Sequence, residues 1–344
     1  SVFTAEGDLW RASTSGGTAS RLTTHPGLEA YPALSPDGKT VAFVGSYEGP
    51  AEVYVMPLSG GLPRRLTWLG AGVRVMGWSP AGEVLFTTTA LHPLRDTRLA
   101  AVHAQTGKLR TVPLNTATGG AYLDKGSLVF TRHGLTSDNV RAYRGGAVAS
   151  LWRFDETAGK EAVRLTDPKD GNALMPMPWK SRIVFVSDRD GVMNLWSMDR
   201  EGKDVRQLTR HRDFEVRSPS LGGSRVVYQH GAGLRALNLE TGSDQALSIT
   251  LVSDFDQLRE RWIRKPLDQF TSASLSRDGS RLAVTARGRV ATAGVGDLRR
   301  VDLAVPAGSR ARNATFSSDG KSVYAFVDAS GEEELWQFPA DGSG

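Results

Sequence analysis

With 344 residues, 38 Gly, 16 Pro and 40% apolar residues, the chain can bury a large core from many short elements joined by tight turns. The absence of cysteine excludes disulfides, thiolate metal sites and a cysteine nucleophile, and the absence of any run of about 18 apolar residues excludes a membrane-crossing helix. The net charge of +5 comes from interspersed charges with no block of Lys and Arg, so it describes an ordinary solvated surface rather than a nucleic-acid-binding one.

The N-terminal SVFTAEGDLW lacks both an initiator Met and a basic-then-apolar leader, and it opens in what reads as the middle of a strand. The expectation is a fragment or processed form in a reducing, cytoplasmic setting. From there one unit recurs. DLWRAS at 8–13 and Arg21-Leu22-Thr23 form an incomplete first copy without an opening strand. The second copy is complete: YPALSPDGK at 31–39, TVAFVGS at 40–46, EVYVMP at 52–57, then Arg65-Leu66-Thr67. The third carries VMGWSPAGE at 75–83 and EVLFTTT, and the fourth AYLDKGS at 121–127, SLVFTRH, SLWRFD at 150–155 and Arg164-Leu165-Thr166. RIVFVSD, NLWSMD at 194–199 and Gln207-Leu208-Thr209 make a fifth, SPSLGGS at 218–224 and RVVYQHG a sixth.

The turn glycines 38, 82, 126, 223, 279 and 320 are expected to supply the positive φ that tight hairpins need. Their spacing, in the low forties where no insertion intervenes, together with four short alternating strands per copy, is the signature of propeller blades. Alternation of period two excludes a helical solenoid. The expected fold is all-β: a six-bladed β-propeller of four-stranded antiparallel blades over 1–252, with blades near 1–27, 28–72, 73–117, 118–171, 172–215 and 216–252. A charged linker at 253–267 follows, and SASLSRDGS at 272–280, NATFSSDGK at 313–321 and ELWQFP at 334–339 place two further propeller-type blades in 268–344.

No catalytic constellation stands out. The Ser318/Lys321 spacing falls in a hairpin turn, His211-Arg212-Asp213 lacks the rest of a kinase loop, and Asp188-Arg189-Asp190-Gly191 lacks the later ligands of a calcium loop. The six histidines show no i, i+2 or i, i+4 pairing, and no cofactor or metal is expected. Arg144, ahead of two glycines, either lines a channel or braces the long loop of the fourth blade, the latter being preferred. Arg74 divides evenly between pore and strand-edge surface.

The run FVSDRDGVMNLWSMDREGKDVRQLT at 185–209 is similar to TolB-like and WD40-like propeller repeats, which speaks to fold alone. The order PLN at 113–115, AYRGG at 142–146, SLW at 150–152, IVFVSDRDGVMNLWS with GKDVRQLT, and RERWIRKPL leading to SLSRDGSRLAVTARG at 274–288 resembles the tricorn protease family over nearly the whole chain. That resemblance implies a six-bladed propeller followed by the start of a second one. It also implies peptidase domains outside these residues, with a PDZ domain and a serine nucleophile, and oligopeptides gated or channelled through the propellers of a possible homo-oligomer. In the archaeal enzyme adjacent arginines just before the turn of the third blade are thought to hold the peptide carboxylate. Here GAGVRVMGWSP at 70–80 offers one, Arg74. The rival readings are a TolB-like interaction propeller and the propeller lid of a prolyl-oligopeptidase-like hydrolase. A secretion signal upstream would favour the first, and a downstream G-x-S-x-G the second.

Overall fold

Short β-branched and aromatic runs of period two, closed by Gly-containing turns, fold as hairpins stacked into small sheets. The computed structural model describes residues 1–94, 96–134, 143–255, 260, 262–296 and 299–343. Residues 256–259 and 261 of the expected linker, and Ala142, lie outside them. The chain divides into two compact units, Ser1–Gln257 and Leu258–Gly344.

In the first unit, β1 (Val2–Ala5), β2 (Asp8–Arg11) and β3 (Gly17–Arg21) form a first sheet. The second holds β4 (Glu29–Leu34), β5 (Thr40–Gly45), β6 (Glu52–Pro57) and β7 (Arg64–Arg65). The third holds β8 (Val73–Trp78), β9 (Glu83–Thr88), β10 (Arg98–His103) and β11 (Leu109–Thr111). The fourth comprises β12 (Gly119–Tyr122), β13 (Ser127–Arg132), β14 (Ser150–Asp155) and β15 (Val163–Arg164). The fifth has β16 (Ala173–Trp179), β17 (Arg182–Ser187), β18 (Asn194–Asp199) and β19 (Arg206–Gln207). The sixth has β20 (Val216–Gly222), β21 (Arg225–His230), β22 (Gly233–Asn238) and β23 (Asp244–Leu247). From the second sheet on, pairing is antiparallel in chain order, and each first strand packs on the first strand of the next sheet. These are the blades of a β-propeller.

The repeat count places 249–251 in the sixth blade, but β24 (Ile249–Leu251) leaves that sheet and pairs with β3 in parallel, Ile249 opposite Gly17. Only Ser248 separates it from β23. One strand thus ties the end of the sixth repeat to the outer edge of the first, while β1 stands at the inner edge with no strand beyond it.

In the second unit, β25 (Phe270–Leu275), β26 (Arg281–Ala286), β27 (Arg289–Gly294) and β28 (Val301–Asp302) form a four-stranded sheet. Beside it lies a three-stranded sheet of β29 (Ala311–Phe316), β30 (Ser322–Val327) and β31 (Glu334–Pro339), and the two share a core around Ala283, Val290, Ala314, Val323 and Ala325.

Alternation sends successive residues of each second strand into different inter-sheet cores. Val84 and Phe86 face the second sheet with Val44, Val53 and Val75, whereas Leu85 faces the fourth with Leu99, Leu128 and Phe130. The aromatic of these strands recurs at one position: Phe43, Phe86, Phe130, Phe185 and Tyr228, all buried against the preceding sheet. Five of the six turn glycines adopt positive φ as expected; Gly126 does not. There the Asp124 carboxylate accepts from the Gly126 and Ser127 amides and shapes the turn.

The Arg-Leu-Thr endings have a physical role. The amide of Leu22, Leu66, Leu165 or Leu208 donates to the carbonyl of Leu9, Val53, Leu151 or Leu195, each at 2.8 Å. The amide of that same third-strand residue donates to the hydroxyl of Thr23, Thr67, Thr166 or Thr209, at 2.8–3.0 Å. The hydroxyl stands in for a ladder carbonyl, so a two-residue fourth strand leaves no buried amide orphaned. The residue before it is also buried and polar. Glu52 accepts from Thr67 (2.6 Å) and from the Gly70 amide (2.8 Å), and Asn194 accepts from Thr209 and the His211 amide (both 2.9 Å). In the first sheet Glu29 of β4 takes the Thr23 proton instead (2.9 Å). Burial pushes the Glu29 carboxyl up to about 7, and the Asp8 charge adds to the effect.

Two outcomes follow. Thr209→Val keeps the shape but orphans the Leu195 amide, so it should lower unfolding free energy by about 1–3 kcal/mol, and Thr209→Ser by clearly less. Urea denaturation compares them, and equal losses would remove the hydroxyl from the explanation. Because the folded Glu29 pKa lies above its ordinary 4.5, the folded chain holds this proton more tightly. Stability contributed by neutral Glu29 is present below that value and is lost as pH rises towards about 7. Glu29→Gln should therefore gain in melting temperature relative to wild type between about pH 5 and about pH 8. A pH-independent difference would count against a protonated Glu29.

Candidate functional site

The first strand of every blade is an edge strand, and in four of the six this is where the ladder breaks. Register shifts fall between Ala30 and Ala33, Val75 and Gly77, Leu174 and Met177, and Arg217 and Ser220. Three of the bulges read X-Pro, with Tyr31, Met175 and Ser218 left-handed at φ 53°, 53° and 46°. A proline is tolerated there because the strand's outer side needs no ladder donor. In β8, Gly77 takes a φ of 149° instead.

The residue that pairs with the fifth residue of the second strand occupies an equivalent place in these four blades; it directly precedes the bulge in β4, β16 and β20 and lies one residue ahead of it in β8. Ala30 pairs with Val44, Arg74 with Thr87, Leu174 with Val186 and Arg217 with Gln229. Arg74 is half-buried, and its guanidinium carbon sits 4.8 Å from the ring centroid of Tyr31 on the neighbouring first strand. Its Nε is buried without a hydrogen-bond partner, and no carboxylate lies within 4.0 Å of the group among the described residues. A half-buried guanidinium backed by an aromatic face and lacking a counter-charge among the described residues is equipped to take a carboxylate or another anion. Arg217 is more exposed, with Nη2 3.4 Å from Glu215.

Arg144 lies elsewhere, between the fourth and fifth blades. Its guanidinium donates to the Tyr143 carbonyl (3.1 Å), the Asp188 carbonyl (3.3 Å) and the Asp188 carboxylate (3.4 and 3.5 Å). That carboxylate is buried and also accepts from the Asn172 amide (2.7 Å) and Nδ2 (3.0 Å). Gly171 passes alongside, where a Cβ would collide with Asp188. The donors of Arg144 thus hold the long loop to the turn after β17, and the two arginines do not share a site. Tyr31 was not singled out by sequence reasoning. Its signal was there: Tyr-Pro at 31–32 matches Met-Pro at 175–176 and Ser-Pro at 218–219.

Residues 1–243 match the Tricorn protease N-terminal beta propeller domain. The chain belongs to the tricorn protease family. It is 34% identical to Tricorn protease homolog 1 of Streptomyces coelicolor over 99% of this chain and 32% of that one. It is 25% identical to the Tricorn protease of Thermoplasma acidophilum over 84% of this chain and 27% of the relative. It therefore spans about a third or less of the length of these two relatives. The crystal structure of the tricorn protease superposes with a TM-score of 0.71 over 97% of this chain at 22% identity, which speaks to the shared fold. A putative TolB from Agrobacterium tumefaciens does so at 0.54 and 18% identity over 66% of the chain, again a likeness of fold.

Proposed function

We propose that this chain is the non-catalytic propeller region of a tricorn-like serine peptidase, which gates or channels oligopeptides and products, and that Arg74 contacts the C-terminal carboxylate of those peptides. Residues 1–252 would serve as the six-bladed propeller and 268–344 as the opening blades of a second. The partners are oligopeptides and the peptidase domains of a longer parent chain, with homo-oligomerisation and a cytoplasmic setting as further parts of the reading. Family membership and the one-third coverage of the relatives support it. The observation that carries the site is Arg74 itself, a half-buried cation on an edge strand, stacked on Tyr31 and without a carboxylate partner among the described residues. Arg144, already engaged by Asp188, is the weaker candidate.

A guanidinium–carboxylate contact at a partly buried site contributes about 1.5–3 kcal/mol, or roughly ten- to a hundredfold in affinity. Arg74→Ala should weaken binding of a free-acid oligopeptide by that factor and leave binding of its C-terminal amide nearly unchanged. Arg144→Ala should affect both peptides alike. Calorimetric titration of acid and amide against wild type and both variants decides the matter. Equal losses for acid and amide at Arg74, or none, would place this arginine outside peptide recognition.

A further inference from the structure

The sixth blade gathers three side chains that their sequence spacing separates. His211 and Asp213 lie between β19 and β20, and His230 ends β21. One ring nitrogen from each histidine and one oxygen of Asp213 all lie within 4.8 Å of one another. The two imidazoles stack with centroids 4.0 Å apart and planes at 36°.

This cluster is held from several directions. The buried Asn194 side chain clamps the His211 backbone, accepting from its amide at 2.9 Å and donating to its carbonyl at 3.1 Å. His211 Nε2 meets the Tyr228 hydroxyl at 2.9 Å and stands 3.7 Å from Asp244, which Arg235 anchors at 3.1 Å. Outer partners of this kind fix the ring and leave Nδ1 available as a ligand. Phe214 packs edge-on against His230 at 5.7 Å. His230 Nε2 is buried and lies 3.2 Å from Asp213 Oδ1 without hydrogen-bond geometry.

We propose that His211, Asp213 and His230 form a binding site for a divalent metal ion of the zinc class. Tetrahedral zinc with bonds of about 2.0–2.1 Å sets its ligand atoms roughly 3.3 Å apart. The His230–Asp213 pair already stands at that separation, and the third donor, within 4.8 Å of both, closes on them by up to about 1.5 Å. Two imidazoles and one carboxylate suit Zn²⁺ or Co²⁺ far better than Mg²⁺ or Ca²⁺, which demand oxygen ligands. Asp213 is largely exposed, so water completes the shell from the solvent side. The ion would pin the segment before β20 to the end of β21, beside the Val216–His230 pair that opens the inner hairpin.

The test uses the untagged full chain after chelator treatment. Titration with Zn²⁺ should show one ion per chain with a Kd on the order of 1 μM, and Mg²⁺ should give no saturable signal. Co²⁺ should produce the visible bands of a tetrahedral site. Asp213→Asn, a change at an exposed side chain, and His230→Gln should each weaken Zn²⁺ binding about tenfold or more, whereas His103→Gln on the third blade should not. If His230→Gln fails to fold, Asp213→Asn alone decides, since its melting temperature in the presence of chelator should match wild type. No saturable Zn²⁺ binding to wild type, or undiminished affinity in Asp213→Asn, would overturn the proposal.

Discussion

A propeller blade must end its sheet and send the chain to the next blade without abandoning the amides of its third strand. Four of the six blades here meet this requirement with one threonine hydroxyl, which takes the hydrogen bond a longer fourth strand's carbonyl would have taken. The preceding leucine supplies the matching donor. The paired geometry lets the outer strand shrink to two residues in the second, fourth and fifth sheets. The buried polar residue that opens the third strand extends the same device. Glu52 reaches the Gly70 amide and Asn194 both sides of the His211 peptide, so the exit path of the chain is fixed by the same few atoms. In a nearly dry site each of these bonds is costly to break and hard to replace.

With the joints fixed, burial between sheets does the remaining work. From the first blade to the sixth, the facing surfaces of neighbouring blades are largely apolar, and each is covered by the blade beside it. The aromatic at Phe43, Phe86, Phe130, Phe185 and Tyr228 fills the gap to the preceding sheet in every blade from the second onward. The Arg110 guanidinium links Glu83 of the third blade (2.7 and 2.8 Å) to Glu156, just past β14 (2.9 Å), with the Tyr122 hydroxyl beside it. Such a multidentate network orients two blades where apolar contact alone would allow sliding. The first blade lacks a strand inside β1, and its closure comes from outside, through β24 on β3.

Most of this architecture was legible in the sequence because it repeats. Strand periodicity, turn glycines and the Leu-Thr endings each recur, and recurrence separates a structural signal from chance. What the sequence hid was non-repetitive. Gly126 looks like the other turn glycines, yet an Asp124 side chain does the turning. The crossing of β24 into the first sheet depends on where the last repeat of the first unit meets the first, which no local pattern records. Arg144 offered two readings, and the partner that engages it, Asp188, lies a blade away. His211 and His230 converge because a hairpin and an inter-sheet loop bring them together, and spacing rules built for helices and single strands cannot register that convergence.

The inner edge strands explain why chemistry collects where it does. A residue in the inter-sheet core is constrained by its neighbours' volume, and the aromatic position accepts only aromatics in five successive blades. The residue at or just ahead of each bulge faces a looser requirement. Ala30, Arg74, Leu174 and Arg217 occupy it in turn, differing in size, charge and exposure while each pairs with the fifth residue of its second strand. The bulge interrupts alternation, so Ala30, Arg74 and Arg217 stand outside the fully buried sandwich while Leu174 still packs into it, and a proline or glycine absorbs the irregular backbone. Stability in this fold rests on the threonine joints and the aromatic layer. At the inner edge the half-buried Arg74 guanidinium stacks on Tyr31 and takes part in neither the threonine joints nor the aromatic layer.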